Sequence, residues 1–197
     1  KYGTKIAFNA AYWAGLKGDY DFENNNYDSE FFGFGTKYFS DFSLEVRKKW
    51  NSNWRSIFYY VNQFSNQREI ENNPNLNSVS SDIFVVESTH RLGRGKSIRI
   101  EGQRLSSDSK DHDWYGGTLE YNFNSKLSFY LNDIYNNGED KNSKKTHYFN
   151  LGGSYTKGAT RVGINYGRQR GGLLCVGGVC RVVSEATGLT MNIVMAF

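Results

Sequence analysis

Residues 188–197 read Gly-Leu-Thr-Met-Asn-Ile-Val-Met-Ala-Phe. Leu189, Met191, Ile193, Met195 and Phe197 recur at every second position, and successive side chains of an extended chain point to opposite faces. The segment therefore reads as a strand with one unbroken apolar face. The same period returns upstream. In 41–49, Phe42, Leu44 and Val46 oppose Asp41, Ser43, Glu45, Arg47 and Lys49. In 114–123, Tyr115, Gly117, Leu119, Tyr121 and Phe123 oppose Trp114, Thr118, Glu120 and Asn122. About ten such segments, bounded by Asn, Asp, Ser and Gly, fill the chain. They cover 4–16, 37–50, 54–64, 82–92, 97–105, 114–123, 127–135, 146–155, 161–169 and 188–197. Each is near the ~9–11 residues that a tilted strand needs to cross a membrane.

The connections sort by length. Those after strands two, four, six and eight are short. Those after strands one, three, seven and nine are long and rich in Asn, Asp, Ser and Gly, and the link 106–113 is intermediate. Short turns on one rim and long loops on the other are the habit of outer-membrane barrels, with the short rim periplasmic and the long rim outside. An even strand number places both ends of this chain in the periplasm. The fold expected is all-β, an antiparallel up-and-down transmembrane β-barrel with about ten strands in one domain spanning 1–197, either complete or part of a larger barrel.

Composition agrees with a barrel wall. Aromatic residues make up 16% of the 197, with 21 Gly and one Pro, which suits strands that need every ladder donor. The mean hydropathy of −0.65 is that of a wall in which only alternate residues meet lipid. No apolar run approaches the ~18 residues of a membrane helix. The net charge of +4 is scattered, with no basic stripe for nucleic acid. A soluble β-sandwich with its polar face outward shows the same alternation, and binding glycans through Trp and Tyr is its natural function.

Aromatics gather near strand ends. Trp50 and Trp54 flank one short turn, and Trp13 and Trp114 lie at the other rim. Together with Phe197 they read as interfacial girdles, since amphipathic rings favour the headgroup level. The plainer reading is that aromatics simply favour strands, and their location at both rims makes girdles the better one. The ending Met195-Ala196-Phe197 resembles that of bacterial outer-membrane barrels, and the resemblance implies recognition by the barrel-assembly machinery.

The inward face carries Asp41, Glu45, Arg47, Lys49, Glu87, Arg99, Glu101 and Glu120. Charges of mixed sign can pair across the ladder and are tolerable only in a wet or networked lumen. They either plug a narrow barrel or line a pore, and strand number decides which.

Cys175 and Cys180 are separated by four residues that include Gly177-Gly178, which can supply the positive φ of a tight loop. A disulfide on an outward loop, in an oxidising compartment, is the expectation. A metal site would need further ligands, and no His lies nearby. The run Tyr166-Gly167-Arg168-Gln169-Arg170-Gly171-Gly172-Leu173-Leu174-Cys175-Val176-Gly177-Gly178-Val179-Cys180-Arg181, followed by a strand ending in Phe197, resembles the C-terminal segment of an uncharacterised outer-membrane barrel family of Bacteroidota. Glu87–Leu92 and Ile98–Gln103 are similar to its upstream parts. The resemblance implies an outer-membrane location, outer-membrane lipid and lipopolysaccharide as surroundings, and longer relatives whose further strands would precede Lys1. It implies no established activity.

Two sites invite chemistry. Ser88 and His90 share a face, as the Ser and His of some outer-membrane lipid hydrolases do, but a third group to orient the His and an oxyanion donor are missing from the reading. Asp111-His112-Asp113 reads as a solvated loop, since adjacent side chains cannot converge on one ion without a special turn, and His147 reads as structural. The leading expectation is a non-enzymatic outer-membrane protein without cofactor or metal, either a narrow pore or a scaffold for other envelope proteins.

Overall fold

A computed structural model describes residues 2–21, 24, 26–73, 75–108, 113–137, 146–176 and 179–195, with side chains described outside 16–23, 25–34 and 172–183. The strands are β1 (Thr4–Asp21), β2 (Asn26–Lys49), β3 (Trp54–Asn66), β4 (Ser78–Gly93), β5 (Lys96–Ser107) and β6 (Trp114–Asn122), then β7 (Leu127–Asn136), β8 (Thr146–Lys157), β9 (Thr160–Gln169), β10 (Gly172–Val176), β11 (Val179–Val183) and β12 (Ala186–Met195). One short helix, α1 (Gln67–Ile70), sits between β3 and β4. The fold is all-β: one antiparallel up-and-down sheet in the order β1-β2-β3-β4-β5-β6-β7-β8-β9-β12, plus the hairpin β10-β11. β1 and β12 are not paired with one another, so the sheet has two open edges.

All ten periodic segments are strands of this sheet. The loops differ more from expectation. Residues 17–36, expected as a long loop after strand one, largely continue the β1–β2 ladder, with Lys17 opposite Glu30 and Asp21 opposite Asn26. Register shifts between Trp13 and Lys17 interrupt the period there, which hides the strand from a search for strict alternation. The cysteine loop is likewise a hairpin of its own.

Register carries each face across the sheet. Ile100, Leu119, Leu131, Leu151, Tyr166 and Leu189 stand opposite one another in turn from β5 to β12, forming an apolar row. On the other face Glu87, Glu101, Thr118, Asn132, Asn150 and Gly167 form a polar row. The apolar row is the exposed one, with Leu131 at 47% and Leu151 at 55%. Members of the polar row are half-buried or buried. A flat single layer would expose both faces alike, so the sheet curls around its polar face. Among the described residues Val61 is the only buried hydrophobic side chain, so no apolar core lies under the sheet.

Crowding inside the curl explains two glycines. A Cβ at Gly116 would meet the side chain of Gln103 at 2.5 Å, and one at Gly152 would meet the Tyr130 ring at 2.7 Å. Both lie on the polar face, where cross-strand neighbours lean over a position left bare.

Candidate functional site

Three clusters carry polar chemistry. The first is on the polar face, whose parity all eight predicted lumen residues share. Arg99 lies one strand from Glu87 and one from Glu120, and shares its strand with Glu101. Its Nη1 donates to Glu101 Oε2 at 2.8 Å and to Glu87 Oε2 at 3.3 Å, while Nε donates to Glu120 Oε2 at 3.2 Å. Glu87 and Glu101 are directly opposed, a repulsive pairing that the shared guanidinium bridges. Three carboxylates on one cation leave the hub net negative. Arg47 pairs with Glu45 on its own strand.

The second cluster lies on the exposed face at the short-turn rim. Trp54 is opposite His90, and their rings stack at 5.1 Å, with Trp50 stacked on the other side of Trp54 at 4.9 Å. The indole Nε1 of Trp50 donates to Ser56 Oγ at 3.1 Å, and that of Trp54 donates to Ser88 Oγ at 2.9 Å. Ser88 Oγ lies 3.2 Å from His90 Nε2. The i, i+2 spacing on one strand places the two side chains on one face, in contact. Among the described residues no carboxylate is paired with His90, and the Trp54 indole occupies a lone pair of the Ser88 hydroxyl. A nucleophilic Ser needs its His oriented by a further group.

The third cluster is at the long-loop rim. Asp113 accepts from Ser106 Oγ at 2.7 Å and from Arg104 Nη2 at 3.0 Å. These bonds, the Ser106 hydroxyl first, hold its carboxyl below the ordinary range of an aspartate. Its pairing with Arg104 and Ser106 gives Asp113 a structural role, and Asp111 and His112 lie outside the described residues. His147, expected to stand alone, has a partner: its Nδ1 is 2.7 Å from Asp133 Oδ2, and it stacks on Tyr135 at 4.5 Å. The partner lies one strand away, so no local motif announces it.

The four tryptophans divide. Trp50 and Trp54 lie on the exposed apolar face. Trp13 and Trp114 lie on the polar face instead: Trp13 is opposite Phe39 in the row of Asp41, and Trp114 stacks on Tyr148 at 6.2 Å beneath the Arg170 guanidinium. Alternation counted from Tyr12 and Tyr115 would have separated them. Phe197 lies outside the described residues. Among the described residues no three His, Cys, Asp or Glu side chains converge to hold a metal ion. The Cys175 and Cys180 side chains are outside the described set, while their backbones are directly opposed in the β10–β11 ladder.

A family model matches residues 1–197. The chain belongs to DUF6029, a family of unknown function. No curated protein and no solved structure matches it. For DUF6029 the functional reading therefore rests on the two faces of the sheet and on the clusters above. Sequence reasoning overlooked Arg55 among them, which stands opposite Lys49 on the polar face at the short-turn rim.

Proposed function

We propose that this chain forms the wall of a non-enzymatic outer-membrane β-barrel, acting as a narrow pore or as a scaffold for other envelope components. The observation that carries the reading is the inversion of the two faces. Leu, Ile, Phe and Tyr side chains are exposed on the convex side, while charged and amide side chains line the concave side. In water such a surface would be a large unpartnered apolar patch; in lipid it is the expected exterior. Between Asp82 and His90 the exposed face of β4 offers eight residue steps, about 26 Å of strand at ~3.3 Å each. Tilted by ~40°, that length subtends about 20 Å, close to the apolar band of ~25 Å. The stacked Trp50–Trp54–His90 column then sits at one interface.

Under this reading the short-turn rim faces the periplasm and the long-loop rim faces outside, in contact with outer-membrane lipid and lipopolysaccharide. The final strand engages the barrel-assembly machinery. Unpaired N–H and C=O groups in lipid cost several kcal/mol each, so the open edges of β1 and β12 are partnered by further strands. The Cys175–Cys180 disulfide belongs to the same proposal. The deciding test is fractionation of native cells after a carbonate wash. Recovery in the outer-membrane fraction is expected, and recovery in the aqueous fraction would favour a soluble glycan-binding sheet. Planar-bilayer recording of the purified protein then separates pore from scaffold.

The Ser88–His90 contact supports a second reading, an outer-membrane lipid hydrolase. Release of fatty acid by the purified protein, lost in both Ser88→Ala and His90→Ala, would place it first.

A further inference from the structure

We propose that the short-turn mouth of the polar face is a binding site for a multivalent oxyanion of phosphate chemistry. A cavity of about 550 Å³ opens there, bordered by the 51–53 turn and the adjoining ends of β1 to β4. That volume is within the ~300–1,000 Å³ of small-molecule sites, and exceeds what a single chloride or water would fill. Six cationic residues line it: Lys5 from β1, Arg47, Lys48 and Lys49 from β2, Arg55 from β3 and Arg91 from β4. Lys48, of the opposite parity, donates to Thr4 Oγ1 at 2.9 Å, which leaves five on the polar face.

The register makes this arrangement costly for an empty site. Lys5 stands directly opposite Arg47, and Lys49 directly opposite Arg55. Directly opposed side chains have Cβ atoms about 5 Å apart, and like charges there repel. Of the five, only Arg47 is matched by a carboxylate, that of Glu45. Lys5, Lys49, Arg55 and Arg91 have no ion pair among the described residues. On the neighbouring strands of the same face Arg99 has three carboxylate partners.

The backbone around them is fixed. Lys49 N–H donates to Gly3 C=O at 3.0 Å, and Arg91 N–H donates to Asn53 C=O at 2.7 Å, tying four strands together at the rim. An oxyanion with several oxygens can accept from both lysines and from the planar guanidinium forks at once, which a monovalent ion cannot. By register the Arg99 hub is level with these cations on the neighbouring strands: Arg99 is in the rung of Lys49, Arg55 and Thr89, and Glu87 and Glu101 are in the rung of Lys5, Arg47 and Ile57. The site rests on the polar face alone and does not depend on the membrane reading.

The phosphate chemistry could be that of a free solute or of a lipid headgroup, and the experiment separates them. The full chain in uncharged detergent is titrated calorimetrically with inorganic pyrophosphate, with acetate as the monovalent control. One site per chain is expected, with pyrophosphate bound at least tenfold more tightly than acetate. K49Q/R55Q and, separately, R91Q should weaken pyrophosphate at least tenfold, whereas K126Q, at a different short turn, should leave it unchanged. Melting curves without ligand verify folding of each variant. If pyrophosphate fails but nanodiscs containing phosphatidylglycerol bind, and K49Q/R55Q abolishes that binding, the phosphate site stands with a headgroup as its source. Equal affinity of the wild type and K49Q/R55Q for pyrophosphate, or no binding of either probe, overturns the proposal.

Discussion

The two rims of the sheet are built by different means. At the short-turn rim, 50–54 and 123–127 are copies of one turn. Asn51 Oδ1 accepts from the N–H of Asn53 and of Trp54, and Asn124 Oδ1 accepts from the N–H of Lys126 and of Leu127. Each turn closes with the same backbone bond, Trp50 N–H to Trp54 C=O at 3.1 Å and Phe123 N–H to Leu127 C=O at 3.0 Å. Within five residues the chain specifies its own reversal. The long-loop rim is held by contacts between distant residues: Arg104 with Asp113, His147 with Asp133, Arg168 with Glu185, and Arg170 over Trp114. One rim is encoded locally and the other by tertiary pairing.

The largest expected effect tests what both rims enclose, the apolar band. Leu131 lies in the apolar row and Asn132, its neighbour, in the polar row. If the convex face meets lipid, Leu131→Arg should destabilise the protein by about 2–4 kcal/mol in vesicles, as cations do near the bilayer midplane. Asn132→Arg should change stability by less than about 1 kcal/mol, the range of lumen and surface changes. Urea unfolding followed by tryptophan fluorescence measures both. Equal losses for the two would remove the distinction between the faces and the membrane proposal with it.

The second effect concerns the turns. Asn51→Ala and Asn124→Ala each strip two backbone donors of their acceptor and should cost about 1–2 kcal/mol. The two turns share no partner, so the double variant should equal their sum within ~0.5 kcal/mol. At the other rim Asn73 accepts one N–H, that of Asn75 at 3.1 Å, in an exposed loop beside α1. Its replacement by Ala should stay within about 0.5 kcal/mol. If Asn73→Ala costs as much as Asn51→Ala, local encoding is not what separates the rims.

The same contrast governs what the sequence discloses. Strands β3 to β9 are legible because each keeps one period from turn to turn, and a residue's parity then gives its face. That is why Arg99, Glu87, Glu101 and Glu120 are found together on one face from a list of letters. Parity fails where the period slips. The β1–β2 extension beyond Trp13 passes through register shifts, and its Gly and Asn content imitates a loop. Trp13 and Trp114 show that nearness to a rim does not give a residue's face, which parity does. The pairing of His147 with Asp133, and the meeting of Lys49 with Arg55, depend on inter-strand register, which periodicity within one strand does not contain. The Ser88–His90 contact is the opposite case, because both residues sit on one strand two apart.

The smallest effect is confined to the long-loop rim and is seen in its pH dependence. Asp113 is held below the ordinary aspartate range chiefly by the Ser106 hydroxyl, with Arg104 adding to it. A carboxyl with a depressed folded pKa contributes stability that is present above its unfolded value, about 3.9, and lost as pH falls through the lower folded value. Asp113→Asn should therefore melt below the wild type at pH 6, and the gap should close as pH falls below about 4. Ser106→Ala should narrow the gap by removing the larger cause. The turn asparagines carry no titrating group, so the deficit of Asn51→Ala should be the same at both ends of that range. Melting temperatures of the three variants across this interval check the point. A gap for Asp113→Asn that persists unchanged at low pH would mean that shape, and not the carboxylate charge, holds the 104–113 corner.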